Sequence, residues 1–299
     1  MISIIGSGKV GSAIAFLIAA TSLDDIVLVN RTKEKALGQA LDISNAASWE
    51  NPVSVVGTDD FSMIKNSDVI VISASVAVYE KDRLEFLSQH VQLIKDIAKK
   101  VVKYSPHSKI VLVTNPADVL TYVFNKETNL SRNNIIGVAS SLDSSRFRYV
   151  LANELGVKTK NITNAMVLGE HGDSMVLLFS LAKIDGKPVL NSLSTPQIDK
   201  ITNDVRYYWK SLRRLKGPSV FGIAKNTTDV LRAIINDKDL AMPASVLLNG
   251  EYGISDVCLG VPAKIDKDGV SIVEIKLANS ELKSLHDSAA IIKNYILQA

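Results

Sequence analysis

The chain has 299 residues, with 34 Lys plus Arg against 31 Asp plus Glu, for a formal net charge of +3. That length suits about two domains of roughly 150 residues each, and 46% hydrophobic with 22% charged residues exclude wholesale disorder. So small a charge excludes nucleic acid as the expected partner, since no aromatic residues alternate with the basic clusters Lys99, Lys100, Lys103 and Arg213, Arg214, Lys216. No membrane span is expected either: the apolar stretch Val10 to Leu23 falls short of the roughly 20 residues required. The single Cys258 rules out an internal disulfide and suits a reducing compartment. With no basic leader ahead of the first strand, a cytoplasmic location is expected.

Four short β-branched runs mark the first half: Ile2 to Ile5, Ile26 to Val29, Val69 to Ile72 and Ile110 to Val113. Continuous apolar runs of this kind belong to strands buried on both faces. Between them, Ser12 to Ala20, Lys33 to Trp49 and Arg83 to Tyr104 are long enough for helices and largely free of Gly and Pro. Alternating strands and helices predict an α/β fold with a doubly wound parallel sheet, which Val53 to Val56 and Ile135 to Val138 extend to six strands. Beyond residue 139 the texture changes. A helix over Ser141 to Glu154 ends near Gly156. Hairpins are predicted around Asp185-Gly186 and Asp268-Gly269, with helices over Pro196 to Leu215 and Ser280 to Leu297. This second half reads as mixed α+β, giving domains over 1–139 and 140–299 that share a tight interface.

Gly6-Ser7-Gly8-Lys9-Val10-Gly11 follows the first strand directly and opens the first helix. The first glycine permits a tight turn, the second lets a pyrophosphate approach, and the third lets helix and strand pack closely. Helix-start N–H groups then face the phosphates. In this context the motif marks a Rossmann-type dinucleotide site. An acidic residue ending the second strand would select NAD. Here the strand ends in Asn30-Arg31-Thr32-Lys33, a neutral residue beside cations. That loosens the selection for NAD and favours NADP or dual use, unless Asn30 is simply a tolerated replacement and Arg31 points to water.

Only four histidines occur, and His171 lies between glycines in Gly169-Glu170-His171-Gly172-Asp173-Ser174. Asp143 and Arg146, in Leu142-Asp143-Ser144-Ser145-Arg146-Phe147, share one helical face. A carboxylate there can orient an imidazole, and a guanidinium can clamp a substrate carboxylate. Asn115, in Val113-Thr114-Asn115-Pro116-Ala117-Asp118, falls just past the fourth strand, where open α/β sheets bind ligands. No set of His, Asp and Glu has metal-ligand spacing, so no metal is expected.

These motifs, together with Lys35-Ala36-x-Gly38-x-Ala40-x-Asp42, KGPS at 216–219 and DVCLGVPAKI at 256–265, stand in the order of the lactate and malate dehydrogenase family. The chain resembles that family from residue 2 to the C-terminus. The resemblance implies His171 as proton acceptor, Asp143 as its partner and Arg146 as the grip on the substrate carboxylate. It implies that Arg83 polarises the reacting carbonyl, and that the partners are a small 2-keto or 2-hydroxy acid and a second copy, in a dimer or tetramer. The helical row Ala36, Ala40, Ile43, Ala47 suits core packing or such a subunit contact. His90 falls where relatives often carry Asn on the cofactor side, and reads either as a nicotinamide-ribose contact or as an exposed helix residue. His107 and His286 read as surface residues, and Cys258 as a small core residue.

The substrate loop departs from the family pattern. It runs Ala74-Ser75-Val76-Ala77-Val78-Tyr79-Glu80-Lys81-Asp82-Arg83, without glycine. Val78 stands where malate enzymes usually carry a second arginine for the distal carboxylate. Either Lys81 replaces that cation and malate is the substrate, or Val78 faces an apolar side chain and a monocarboxylate such as lactate is preferred. The motif style favours malate. A short loop without a glycine hinge also predicts slow turnover.

Overall fold

The computed structural model describes residues 1–47, 49, 51–76 and 86–299. The first half contributes β1 (Ile2–Ile5), α1 (Lys9–Ala20), β2 (Ile26–Val29), α2 (Lys33–Ser44), β3 (Val55–Thr58) and β4 (Val69–Ile72). It continues with α3 (Leu87–Tyr104), β5 (Lys109–Leu112), α4 (Ala117–Thr128) and β6 (Ile135–Gly137). The six strands pair in parallel in the order β3-β2-β1-β4-β5-β6. The winding reverses between β1 and β4, which opens a crevice at the carboxyl ends of the strands. β1, β2 and β4 are buried along their whole length, as unbroken apolar runs require.

Neighbouring strand residues point to opposite faces, and the two faces build separate cores. Ile70, Ile72, Ile110 and Leu112 pack with Ile94 and Ala98 of α3 and Phe124 of α4. Ile2, Ile4, Val69 and Val71 pack with Ile14 and Ile18 of α1 and Ile43 of α2. Ala36, Ala40 and Ile43 are thus buried within the chain itself.

The second half begins with α5 (Ser140–Glu154), then β7 (Ile162–Thr163), β8 (Val167–Leu168), β9 (Val176–Leu177), β10 (Lys183–Ile184) and β11 (Lys187–Pro188). α6 (Thr195–Arg206), α7 (Tyr208–Lys216) and α8 (Phe221–Ile235) follow, then β12 (Leu240–Asn249), β13 (Ser255–Asp266), β14 (Gly269–Ile272) and α9 (Asn279–Leu297). β12 pairs antiparallel with β6 at Ser245 and Gly137, so β12, β13 and β14 extend the parallel sheet to nine strands. A Cβ on Gly137 would lie 2.7 Å from that of Ser245, which is why glycine stands at the junction. The α8 helix joins the α1 side of the sheet through Val230, Leu231 and Ile234.

Three local differences from the sequence expectations have physical causes. The helix expected to reach Trp49 ends at Ser44, where the Ser44 and Asn45 side chains donate to the carbonyls of Ala40 and Leu41. The helix expected over Pro196 to Leu215 breaks at Tyr207 into α6, which buries Ile201 and Val205, and α7, which buries no residue. β12 escapes the period-based reading because it contains Pro243, which pairs opposite Pro262 of β13. Among the described residues, no helix is long and apolar enough to cross a membrane.

Candidate active site

The glycine turn has three differently built positions. Gly6 has φ +107° and packs so closely on β4 that a Cβ would meet the Ala74 nitrogen at 2.6 Å. Gly11 lies against the Gly6 carbonyl, where a Cβ would sit 1.9 Å from the oxygen. Nothing lies within 4 Å of a Cβ built on Gly8, the N-cap of α1, and no side chain caps that helix. The helix start therefore presents uncapped N–H groups beside an open cradle, which suits a pyrophosphate. Lys9 is exposed and Val10 half-buried on the first turn, while Ser7 is buried.

Asn30 does not extend away from the turn. Its Nδ2 donates to Ser7 Oγ (2.8 Å) and its Oδ1 accepts from the Thr32 N–H (3.0 Å), so the carboxamide ties the β2 end to the glycine turn. Arg31 beside it is exposed. Ser73 Oγ donates to the Gly6 carbonyl (2.8 Å) and Thr114 Oγ1 to that of Ala74 (2.8 Å). The carboxyl ends of β1, β4 and β5 are thus stitched together under the half-buried Val113 and Asn115. Asn115 precedes Pro116 through a cis peptide bond.

His90 corrects the expectation of an exposed helix residue. It is only 2% exposed, because it shares the buried stripe of α3 with Leu87, Val91 and Ile94. Its Nε2 meets Ser75 Oγ at 2.9 Å and its Nδ1 the Phe86 carbonyl at 3.0 Å. Burial pushes the imidazole below its usual range, partly opposed by the bond to Phe86. Both ring nitrogens are therefore engaged inside the protein. Cys258 is buried, and His107 and His286 are exposed.

Three of the residues expected to carry chemistry, His171, Asp143 and Arg146, meet in one place. His171 Nδ1 lies 2.5 Å from Asp143 Oδ2, and Arg146 Nη1 donates to Asp143 Oδ1 at 3.0 Å. Asp143 is wholly buried, while His171 and Arg146 are 8% and 6% exposed. The i, i+3 spacing on α5 lets one carboxylate hold both an imidazole and a guanidinium. Tyr208, at the start of α7, stacks its ring 5.3 Å from the Arg146 guanidinium carbon. With Asp143 at Nδ1, proton exchange falls to the other ring nitrogen, Nε2. Such an array can bind a carboxylate and move a proton beside it.

The loop that carries His171 is held from three sides. Gly169 exchanges backbone hydrogen bonds with Gly260 of β13 (2.8 and 3.2 Å), and Ser288 Oγ of α9 accepts from the Glu170 N–H (2.8 Å). On the third side Asp118 Oδ2 accepts from the His171 N–H (2.8 Å) and Oδ1 from Ser245 Oγ (2.6 Å). This contact brings the start of α4 to the histidine. Asp118 stands in the sequence motif but received no role there, because its partners His171 and Ser245 lie far away in the chain. Arg83, Val78 and Lys81 lie outside the described residues. Among the described residues, no group of three or more His, Cys, Asp or Glu could hold a metal ion.

Comparisons with known proteins identify the family. The family "lactate/malate dehydrogenase, NAD binding domain" matches residues 1–137, and "lactate/malate dehydrogenase, alpha/beta C-terminal domain" matches 140–299. Malate dehydrogenase of Archaeoglobus fulgidus is 38% identical over 292 residues, covering 97% of this chain and 96% of that protein. L-lactate dehydrogenase 1 of Clostridium acetobutylicum is 35% identical over 302 residues, covering 98% and 96%. The Cryptosporidium parvum lactate dehydrogenase, solved with lactic acid and nicotinamide adenine dinucleotide, superposes with a TM-score of 0.95. It is 33% identical and covers 99% of this chain and 96% of that one. The chain belongs to the lactate/malate dehydrogenase family of oxidoreductases, with an NAD-binding domain at its N-terminus.

Proposed function

We propose that the chain is a malate dehydrogenase that interconverts malate and oxaloacetate with a nicotinamide cofactor. The observation that carries this reading is the buried array in which Asp143 holds both His171 and Arg146. In the oxidative direction His171 Nε2 takes the hydroxyl proton, and in the reductive direction it returns it. Asp143 keeps the imidazole in the useful tautomer and stabilises it when protonated. Arg146 grips the substrate carboxylate through the guanidinium edge that Asp143 leaves open. Arg83, assigned by family resemblance, supplies positive charge where the carbonyl oxygen gains negative character.

Gly6, Ser7, Gly8, Lys9, Val10 and Gly11 form the pyrophosphate cradle, Val113 and Asn115 line the nicotinamide side, and Asn30 and Arg31 the adenosine side, while His90 stays bonded to Ser75 and the Phe86 carbonyl. When bound, the cofactor supplies the hydride acceptor or donor. We infer that NADP is used as well as NAD, because Asn30 brings no negative charge and Arg31 is exposed beside it. Lys81 serves the distal carboxylate of malate. A second reading, a lactate or broader 2-hydroxy-acid dehydrogenase, is favoured by one observation: Val78 occupies the position of the usual second arginine.

A matrix of oxaloacetate, pyruvate and hydroxypyruvate against NADH and NADPH, followed by loss of reduced-nicotinamide absorbance, tests these readings together. Oxaloacetate is expected to be the best substrate, with both cofactors active. A pyruvate rate about tenfold above that of oxaloacetate, equivalent to ~1.4 kcal/mol of selectivity, overturns the malate reading. In the same matrix Asn30→Asp is expected to cut NADPH use about tenfold or more through charge repulsion while keeping NADH. Equal losses with both cofactors would refute the inference about NADP.

Assembly with a second copy is part of the proposal. Phe16 of α1, Leu37 and Leu41 of α2 and Phe221 of α8 are 47%, 42%, 70% and 73% exposed on one side of the sheet. Apolar surface of this kind favours a subunit contact. Light scattering is expected to give the mass of a dimer or tetramer, and a monomer mass at assay concentration would contradict it.

A further inference from the structure

Asp118 is 4% exposed, and both partners of its carboxylate, the His171 N–H and the Ser245 hydroxyl, are neutral. A buried carboxylate without a cationic hydrogen-bond partner is costly, and its place in the first turn of α4 offsets only part of that cost. Among the described residues, the titratable groups that face it come from three other elements. They are Asp143 on α5, Glu170 and His171 on the loop after β8, and Cys258 on β13, while β12 offers the neutral Ser245.

We propose that Asp118 is a positioning residue for the reaction: it fixes the main chain of His171 against α4 and β12 and brings a second carboxylate, beside Asp143, to the histidine's loop. The assignment rests on His171 as the proton carrier. Burial pushes the Asp118 carboxyl up to about 7, its bonds to His171 and Ser245 pull the other way, and Glu170 and Asp143 add to the rise. The carboxylate is thus an ionisable group bonded to the main chain of the residue that carries the imidazole. An ionised Asp118 favours the protonated histidine, so removing its charge lowers the pH at which His171 loses its proton.

Two substitutions separate position from charge. Asp118→Asn keeps an acceptor oxygen for the His171 N–H and removes the charge, whereas Asp118→Ala removes both. Ring NMR of the protein without cofactor, with the His171 signal identified by its loss in His171→Asn, reads the titration directly. Asp118→Asn is expected to lower the His171 midpoint by about half a pH unit or more. Asp118→Ala is expected to lower kcat for oxaloacetate reduction about 10²-fold, as a small misplacement of a reacting group does, with KM for NADH unchanged. Asp118→Asn is expected to recover most of that loss. An unmoved midpoint in Asp118→Asn overturns the electrostatic part, and equal kcat in the alanine variant and the parent overturns the positional part. If the alanine variant does not fold, the asparagine midpoint alone decides. That midpoint is read without substrate, so it stands apart from whether oxaloacetate is turned over.

Discussion

His171→Asn is expected to lower kcat about 10³-fold in both directions, within the 10²- to 10⁴-fold range that a positioned acid–base group contributes. Asparagine is close to the imidazole in polarity and can still donate to Asp143, so the buried carboxylate at the end of α5 keeps a partner. What it lacks is a group that titrates near neutrality. NADH affinity should stay within about twofold, because the glycine turn and the β2 end are built from other elements. Keto-acid reduction depends on the protonated imidazole and hydroxy-acid oxidation on the neutral one, so the loss should appear on both sides of the pH profile. Stopped-flow absorbance of the reduced nicotinamide checks this. Retention of kcat within about tenfold would move the proton transfer to another group.

Arg146→Gln is expected to raise the KM for oxaloacetate about 10²-fold or more. The guanidinium makes charge-assisted bonds, each worth ~1.5–3 kcal/mol, and glutamine cannot present two parallel donors to a carboxylate. It also withdraws a group that holds the wholly buried Asp143. Breaking a buried pair in this way costs about 3–5 kcal/mol, so a lower melting temperature should accompany the kinetic defect. Arg146→Lys keeps the charge as a single point and should fall between glutamine and the parent, since lysine lacks the planar fork. Steady-state kinetics at fixed saturating NADH separates the two contributions. If KM is unchanged in both variants, the substrate carboxylate is held elsewhere.

Much of the first half was readable because its signals are local. Ile2–Ile5, Ile26–Val29 and Val69–Ile72 are unbroken apolar runs, and each becomes a strand with no exposed residue. The three glycines of the turn have separate physical duties, and the close contacts at Gly6 and Gly11 and the open space at Gly8 match them one by one. The i, i+3 spacing of Asp143 and Arg146 made a shared carboxylate foreseeable, although its meeting with His171 depends on a loop 28 residues away.

The parts that were not readable are long-range. Nothing in Leu240–Asn249 announces a strand while Pro243 stands inside it, because its register comes from β6 and β13 on either side. His90 looked like a polar residue on an outward helix face, and only the packing of α3 against the sheet buries it. Asn30 was read for what it lacks, a negative charge. Its bonds to Ser7 and the Thr32 N–H depend on how β1 and β2 lie side by side. Asp118 needed two partners far away in the chain, His171 and Ser245, before it became more than a helix-start acid. The choice between Lys81 and Val78 at the distal end of the substrate is a matter of loop position, which chain order alone does not fix.

The most direct test is a crystal structure with NADH and an unreactive keto-acid analogue. The carboxylate of the analogue should lie on the free edge of Arg146, its carbonyl oxygen within hydrogen-bond distance of His171 Nε2, and the nicotinamide ring against the reacting carbon. An analogue bound elsewhere, or an imidazole turned from the nicotinamide, would contradict the account.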